Sequence, residues 1–385
     1  MDFEDLLIIR KQFHKKPELS GEEIKTSSQI ELYLKKLHPS QLLTNVGGHG
    51  ILCVYDFQKP GPCVVFRAEL DALPINEKNN CEHRSTNSGI SHACGHDGHM
   101  TILLGLAQYL SRIPKDISGK IVLLFQPAEE TAEGAKKIMQ DSRFHDLHPT
   151  YIFGLHNIPQ YPLGAILLRK DVFASASQGL VLWFYGLSSH AGQPEQGLSP
   201  LKVMMDCVTL LQNISNKYYE KNSDTFITII HMNIGKRAFG TMPGDGVIMA
   251  TFRSFDQKRI DAMTKEVMDA LQNHMKSFKG SWEHKWVEVF PSIVNNSTCY
   301  EIVTRAVEDI GGKIIEMKNP FNWSEDFSYY LYQYPGAFFG IGAGENHLAL
   351  HNPSYDFPDD LIPYSIEVFK SIISEAARQY HGDFS

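Results

Sequence analysis

Apolar residues along this chain follow two periods, and the switches between them mark its elements. Near 3–15 and 21–37 they recur every three to four residues, which predicts two opening helices punctuated by Pro17 and Gly21. Apolar runs of strand length follow at 51–55, 63–67, Lys120–Gln126 and 151–155. Helical patterns separate them at 98–112 and 129–141. Strands alternating with helices predict an α/β layered domain, whose ligands gather at the carboxyl ends of its strands. From about Ala174 the pattern changes. Strands are expected at 178–185, 225–234 and 246–253, and amphipathic helices at 199–219 and 257–278. Two helices on an antiparallel sheet make a small α+β insert. After about Pro291 the first pattern resumes and ends in a helix at 362–380. The expected organisation is a discontinuous catalytic domain, residues 1–173 and 291–385, interrupted by an insert at 174–290.

Composition narrows the class. A chain of 385 residues exceeds one ordinary core. Its 43% hydrophobic and 21% charged residues fit a soluble globular protein. A net charge of −8 without a long basic run argues against a nucleic-acid partner. No apolar stretch approaches the roughly 18 residues of a membrane span. The acidic start, Met1-Asp2-Phe3-Glu4-Asp5, has no basic-then-apolar pattern of a secretory signal. The six cysteines lack the spacing of a disulfide framework, so free thiols in the cytoplasm are expected.

The densest chemistry lies at 92–99, His-Ala-Cys-Gly-His-Asp-Gly-His. His92, Cys94, His96, Asp97 and His99 are all ligand types for Zn²⁺ and its borderline neighbours. Four more segments stand at predicted strand ends or late in the chain. Glu69 and Asp71 can ligate, or orient a ligating imidazole. Of Glu129 and Glu130, one can bind metal while the other acts as base, although a helix dipole alone would favour such a pair. His156 and His351 complete the set. Cys94, His96, Glu130, His156 and His351 exceed what one catalytic zinc needs. They fit two metals about 3.5–4 Å apart, which polarise a carbonyl and generate hydroxide, with Glu129 as the general base.

Seven segments occur in order: Arg-Ala-Glu-Leu-Asp-Ala-Leu-Pro at 67–74, the 92–99 cluster, Gln-Pro-Ala-Glu-Glu at 126–130, Gly-Leu-His at 154–156, Ser-Ser-His-Ala at 188–191, Ser-Glu-Asp-Phe-Ser at 324–328 and Leu-His-Asn-Pro at 350–353. Together they resemble the dinuclear metallo-amidohydrolases of the aminoacylase and carboxypeptidase family. The nearest branch holds hippurate hydrolase, auxin-conjugate hydrolases and N-acetyldiaminopimelate deacetylase. The resemblance implies a zinc-peptidase-like three-layer catalytic domain and an inserted lid that mediates dimerisation. It implies two divalent ions, Zn, Mn, Co or Ni, on Cys94, His96, Glu130, His156 and His351, with Glu129 as base. His190 becomes a donor to the tetrahedral oxyanion, reaching the centre from the lid or from a partner subunit. Arg253 becomes a fork for a substrate carboxylate.

Two departures stand out. Glu69 replaces the family's usual Asp, one methylene shorter. Gly240-Thr241-Met242-Pro243 replaces Asn-Val-Ile-Pro, so a substrate-contacting Asn is missing and Asn233 is the substitute candidate. Asp97 is expected as the N-cap of the following helix, His99 as support, and His92 is left without a role. The expected activity is hydrolysis of N-acyl-amino acids, acetyl, benzoyl, indole-acetyl or aminoacyl. Dipeptidase or carboxypeptidase action shares every site residue. A non-catalytic metal- or peptide-binding homologue is the third reading. A cytoplasmic homodimer joined through the insert, with no membrane or nucleic-acid partner, completes the expectation.

Overall fold

Strands buried along their whole length belong to the middle of a sheet covered on both faces. Cys63–Glu69, Tyr151–Ile158 and Gly336–Gly342 are of this kind, and Gly50–Asp56 and Lys120–Gln126 nearly so. The computed structural model describes residues 3–114 and 116–382. These strands sit in an eight-stranded mixed sheet. Its order is Gln41–Val46, Gly50–Asp56, Lys120–Gln126, Cys63–Glu69, Tyr151–Ile158, Gly336–Gly342, Ile166–Leu168, Ile314–Glu316.

On one face Phe66, Leu123, Phe153 and Phe339 join helices Phe3–Lys15, Ile24–Lys35, His96–Leu110, Ser297–Asp309 and Leu361–Gly382 in one core. On the other, Phe338 packs against Phe327, with ring centroids 5.1 Å apart. The Gly134–Ile138 and Ser328–Leu331 helices also contact the sheet. The result is a three-layer α/β arrangement.

The four strands from Lys120–Gln126 to Gly336–Gly342 run parallel, with Glu69 opposite Gln126 and His156 opposite Gly340. Their carboxyl ends therefore share one edge. That register brings Glu69, Asp71, the Glu129-Glu130 turn and His156 to the same end of the sheet.

The chain divides into two compact units. The first runs to Phe173 and resumes over Ile293–Pro320 and from Glu325. The second holds Ala174–Ser292 and Phe321–Ser324. In the second, Ser175 N donates to Phe321 O (3.0 Å) and Trp323 O (3.1 Å). Its antiparallel sheet has the order Phe226–Ile234, Asp245–Ser254, Ala176–Tyr185, Ser281–Phe290. Helices Leu201–Tyr219 and Gln257–Met275 pack on it through Met204, Leu211, Met263 and Leu271. This unit is α+β.

Three local readings are corrected. The helix expected at 129–141 shrinks to Gly134–Ile138, because Ala128 (φ 54°) and Ala132 (φ 58°) hold the left-handed region, which no α-helix tolerates. His156 lies inside its strand rather than after it. Asp97 is not a cap. Gly95 holds that position at φ 90°, and Asp97 sits in the first turn. Its buried carboxylate instead accepts from Arg10 Nη1 (3.0 Å) and pairs with His14 Nδ1 (2.9 Å). Burial alone would lower the His14 imidazolium, but the charge and hydrogen bond of Asp97 outweigh it and raise the group to about 10. No helix among the described residues is long and apolar enough to cross a membrane. All six cysteines are free.

Candidate metal centre

The turn Cys94-Gly95-His96 opens the His96–Leu110 helix and carries two of the expected ligands. It depends on glycine: a Cβ on Gly95 would lie 2.6 Å from Asn157 Oδ1, on a backbone already at φ 90°. Each imidazole is oriented by a backbone carbonyl. His96 Nδ1 donates to Asp71 O (2.9 Å) and His156 Nδ1 to Asn157 O (2.8 Å). Both rings therefore turn Nε2 inward. His156 Nε2 stands 3.3 Å from Cys94 Sγ. His96 Nε2 is buried without a hydrogen-bond partner among the described residues.

Glu130 and His351 close the ring. Glu130 Oε1, also buried and unpartnered among the described residues, is 4.0 Å from His96 Nε2 and 3.8 Å from His351 Nε2. His351 reaches the site with φ 64°, pinned by its N–H to Ala93 O (2.8 Å). A left-handed histidine held by surrounding bonds is strain of the kind that collects at functional sites. Donor atoms within 4.8 Å of one another form overlapping sets: Cys94/His96/His156, Cys94/Glu130/His351 and His96/Glu129/Glu130. The structure thus brings all five expected ligands together, with Glu129 beside them.

The electrostatics call for added positive charge. Burial, then the Glu130 carboxylate, push the Cys94 thiol well above its ordinary value. Burial raises Glu130 to about 7, and burial with the neighbouring Glu325 and Glu130 raises Glu129 well up. His96, which burial alone would lower, is raised to about 10 by Asp71 and Glu69. A thiol, two carboxyls and three imidazoles crowded this closely are stable in their ligating forms when cations sit between them. A thiolate, imidazole and carboxylate set fits a borderline divalent metal.

The carboxylates on the Cys63–Glu69 side hold neighbouring protein groups. Asp71 accepts from Ser20 Oγ (2.6 Å) and from Glu130 N (3.0 Å). Glu69 bridges two partners, Arg67 Nη1 and His99 Nδ1, the latter at 2.7 Å. His99 Nε2 accepts from Asn157 N (3.3 Å), so its hydrogen sits on Nδ1 and is donated to Glu69. His99 packs against His156 with ring centroids 4.8 Å apart. The glutamate arm at 69 spans Arg67 and His99 together. His92 is buried, neutral with its value lowered to about 4 by burial, and neither ring nitrogen has a hydrogen-bond partner among the described residues.

Arg67 was missed in the sequence reading. It is fully buried, a cation inside an apolar run. Its Nε donates to Gln126 Oε1 (2.9 Å), and Nη2 to Glu325 Oε1 (2.8 Å) and Asp326 Oδ1 (2.6 Å). A charge in the middle of such a run was the available signal, because a buried charge must be paired.

His190, Arg253 and Asn233 belong to the second unit. His190 is exposed on the short Ser189–His190 strand, opposite Thr241. Its Nδ1 accepts from Gly192 N (3.0 Å), which leaves the hydrogen on Nε2. Gly240 O accepts from Ala191 N (3.0 Å), and nothing lies within 4 Å of where a Cβ on Gly240 would be. Arg253 Nη1 donates to Asn322 O (2.6 Å) and, at 3.4 Å, to Ser324 Oγ. Among the described residues it has no carboxylate partner, and burial lowers its value. Asn233 is exposed, opposite Val247 in the Phe226–Ile234 strand.

Residues 65–375 match the model of peptidase family M20/M25/M40. The chain is 30% identical to the N-acetyl-L-cysteine deacetylase of Bacillus subtilis over 361 residues, covering 93% of this chain and 84% of that protein. It is 31% identical to the IAA-amino acid hydrolase ILR1-like 2 of Arabidopsis thaliana over 384 residues, covering 96% and 84%. Its fold matches that of the Bacillus subtilis YXEP protein, a dinuclear metal binding peptidase from the M20 family. That match has a TM-score of 0.80 and 23% identity, and covers 98% of both chains. The chain belongs to peptidase family M20/M25/M40. By class it is a metal-dependent hydrolase of amide bonds.

Proposed function

We propose that this chain removes the acyl group from N-acyl-amino acids bearing a free carboxylate, at a dinuclear centre served by a glutamate base. The observation that carries the reading is the convergence of five donors in overlapping sets beside Glu129. Cys94, His96, Glu130, His156 and His351 would hold two divalent ions, Zn, Mn, Co or Ni. Bound there, the ions polarise the substrate carbonyl and make water acidic enough to attack near neutral pH.

The protein supplies the rest. Glu129 takes the proton of the attacking water on its carboxylate and returns it to the leaving nitrogen. Only 5% of Glu129 is exposed, which shields that proton from bulk water. His190 donates its Nε2 hydrogen to the carbonyl oxygen as charge develops there, an interaction worth about 3 kcal/mol of barrier. Arg253, without a carboxylate of its own, receives that of the substrate in its planar fork. Asn233 supplies a further substrate contact. Asp71 and Glu69 orient imidazoles and carry no proton.

A panel of N-acetyl-L-amino acids and dipeptides tests this, after loading with Mn²⁺ or Zn²⁺ under reducing conditions. The expected result is a kcat/KM at least tenfold higher on acyl-amino acids, about 1.4 kcal/mol of transition-state preference. Preference for dipeptides makes the chain a dipeptidase. Two bound metals without turnover on either set makes it a binding protein.

The second unit fits a homodimer contact. The Phe226–Ile234 strand is a sheet edge and exposes Ile230 and Met232. The Leu201–Tyr219 helix exposes Leu201 and Met205, which line a cavity of about 520 Å³ with Ile234 and Met242. An open edge beside apolar surface is what a second copy covers. Light scattering on the eluting protein is expected to give twice 43.5 kDa. Met205→Lys is expected to shift it toward the monomer.

A further inference from the structure

The Ser-Glu-Asp-Phe-Ser segment at 324–328 has no part in the ligand set or the proton chemistry, yet its acids are buried. Glu325 is 2% and Asp326 0% exposed. Asp326 Oδ1 accepts from Arg67 Nη2 (2.6 Å) and Gln126 Nε2 (2.8 Å). Its Oδ2 accepts from Gln126 Nε2 (2.9 Å) and from Ala135 N (2.9 Å). Gln126 ends the Lys120–Gln126 strand and Ala135 lies in the Gly134–Ile138 helix. The residues between them carry Glu129 and Glu130. One carboxylate thus fastens both ends of that turn.

The turn needs fastening. Ala128 and Ala132 both hold positive φ without being glycine, and such conformations persist only where the surroundings over-determine them. A Cβ on Gly134 would collide with Pro127 O. Two other buried carboxylates hold the tip. Glu23 Oε1 accepts from Ala128 N (2.8 Å), and Asp71 Oδ2 from Glu130 N (3.0 Å). Arg67 holds Asp326 in turn and also donates to Gln126 Oε1 (2.9 Å). Tyr330 Oη donates to the same Gln126 oxygen (2.8 Å).

We propose that Asp326 is a positioning residue for Glu129 and Glu130, keeping a strained turn in the conformation that brings both carboxylates to His96. The inference rests on the proposed roles of Glu129 as base and Glu130 as ligand.

The test uses the full chain, Co²⁺ alone as the first probe, and visible absorption to read how thiolate and imidazole surround the ion. Asp326→Asn, which cannot accept from both Gln126 and Ala135, is expected to weaken Co²⁺ binding by about 10–100-fold and to alter the visible bands. Gln126→Met frees the strand end, along with Arg67 Nε and Tyr330 Oη, but leaves the Ala135 bond of Asp326, the net charge and the side-chain size in place, and moves both readouts less. On the best N-acetyl-amino acid at saturating metal, Asp326→Asn lowers kcat more than tenfold while KM changes less than twofold. Wild-type Co²⁺ affinity, bands and kcat in both variants overturn the inference. If Asp326→Asn does not fold, Gln126→Met decides by the same criteria. Glu130→Gln separates the two levels. If it weakens Co²⁺ binding while the other two variants do not, only the positioning role falls. If Glu130→Gln binds Co²⁺ like the wild type, the ligand role fails and takes this inference with it.

Discussion

Glu129→Gln is expected to lower kcat by about 10³-fold, within the range measured for loss of a positioned acid–base group, while metal content by elemental analysis stays that of the wild type. Glutamine keeps the volume and an oxygen at the same place. It cannot accept a proton from water and hand it to the departing nitrogen. Both halves of the reaction lose their carrier, so the loss sits in kcat with little change in KM. Glu129 lies with His96 and Glu130 in one set of donors, so metal content must be measured on the same samples. Retention of a tenth or more of the wild-type kcat would remove Glu129 from the role.

Arg67→Met carries the second large effect, and it falls on stability. Arg67 is the cation shared by Glu69, Glu325 and Asp326, all of them buried. Removing one partner of a buried ion network leaves charge unpaired in a poor dielectric, at about 3–5 kcal/mol. The first melting transition should drop by roughly 10 °C, given about 2–4 °C per kcal/mol for units of this size.

The pH dependence has a definite sign. Burial alone would raise Glu69, but Arg67 and then His99 hold it well below its ordinary 4.5. A depressed acid contributes stability above its unfolded value and loses it as pH falls through the folded value. Arg67→Met removes that contribution. The gap between variant and wild type should therefore be widest above about pH 4.5 and narrow in acid. A gap that stays constant across pH would assign the destabilisation to lost packing instead.

How far the sequence spoke depended on the distance over which each residue is held. Parallel strands such as Cys63–Glu69 were legible because burial on both faces writes a continuous apolar run. The Gln41–Val46 strand, mostly half-exposed at the sheet edge, and the polar-rich Ser281–Phe290 strand left no such run. The candidate donors were legible by residue type. Their spacing was not, since it follows from the register that sets Glu69 opposite Gln126 and His156 opposite Gly340.

Local pattern failed where distant partners overrode it. Asp97 sits where a cap would be sought, but Arg10 and His14, more than eighty residues away, hold its carboxylate. Residues 129–141 have helical periodicity, yet buried acids from residues 23, 71 and 326 bend the start of that segment into a turn. Arg67 meets Glu325 across 258 positions, a pairing no window of sequence contains.

His351 gives the centre an order in time. Cys94, His96, Glu130 and His156 are all translated before the second unit, and His351 only after it. A ribosome-bound chain that has folded its first strands owns four of the five donors and lacks the fifth. The left-handed histidine pinned to Ala93 can take its place only after the second unit has been made. A protein truncated before residue 351 would retain the thiol and two imidazoles in a cluster that lacks its fifth donor.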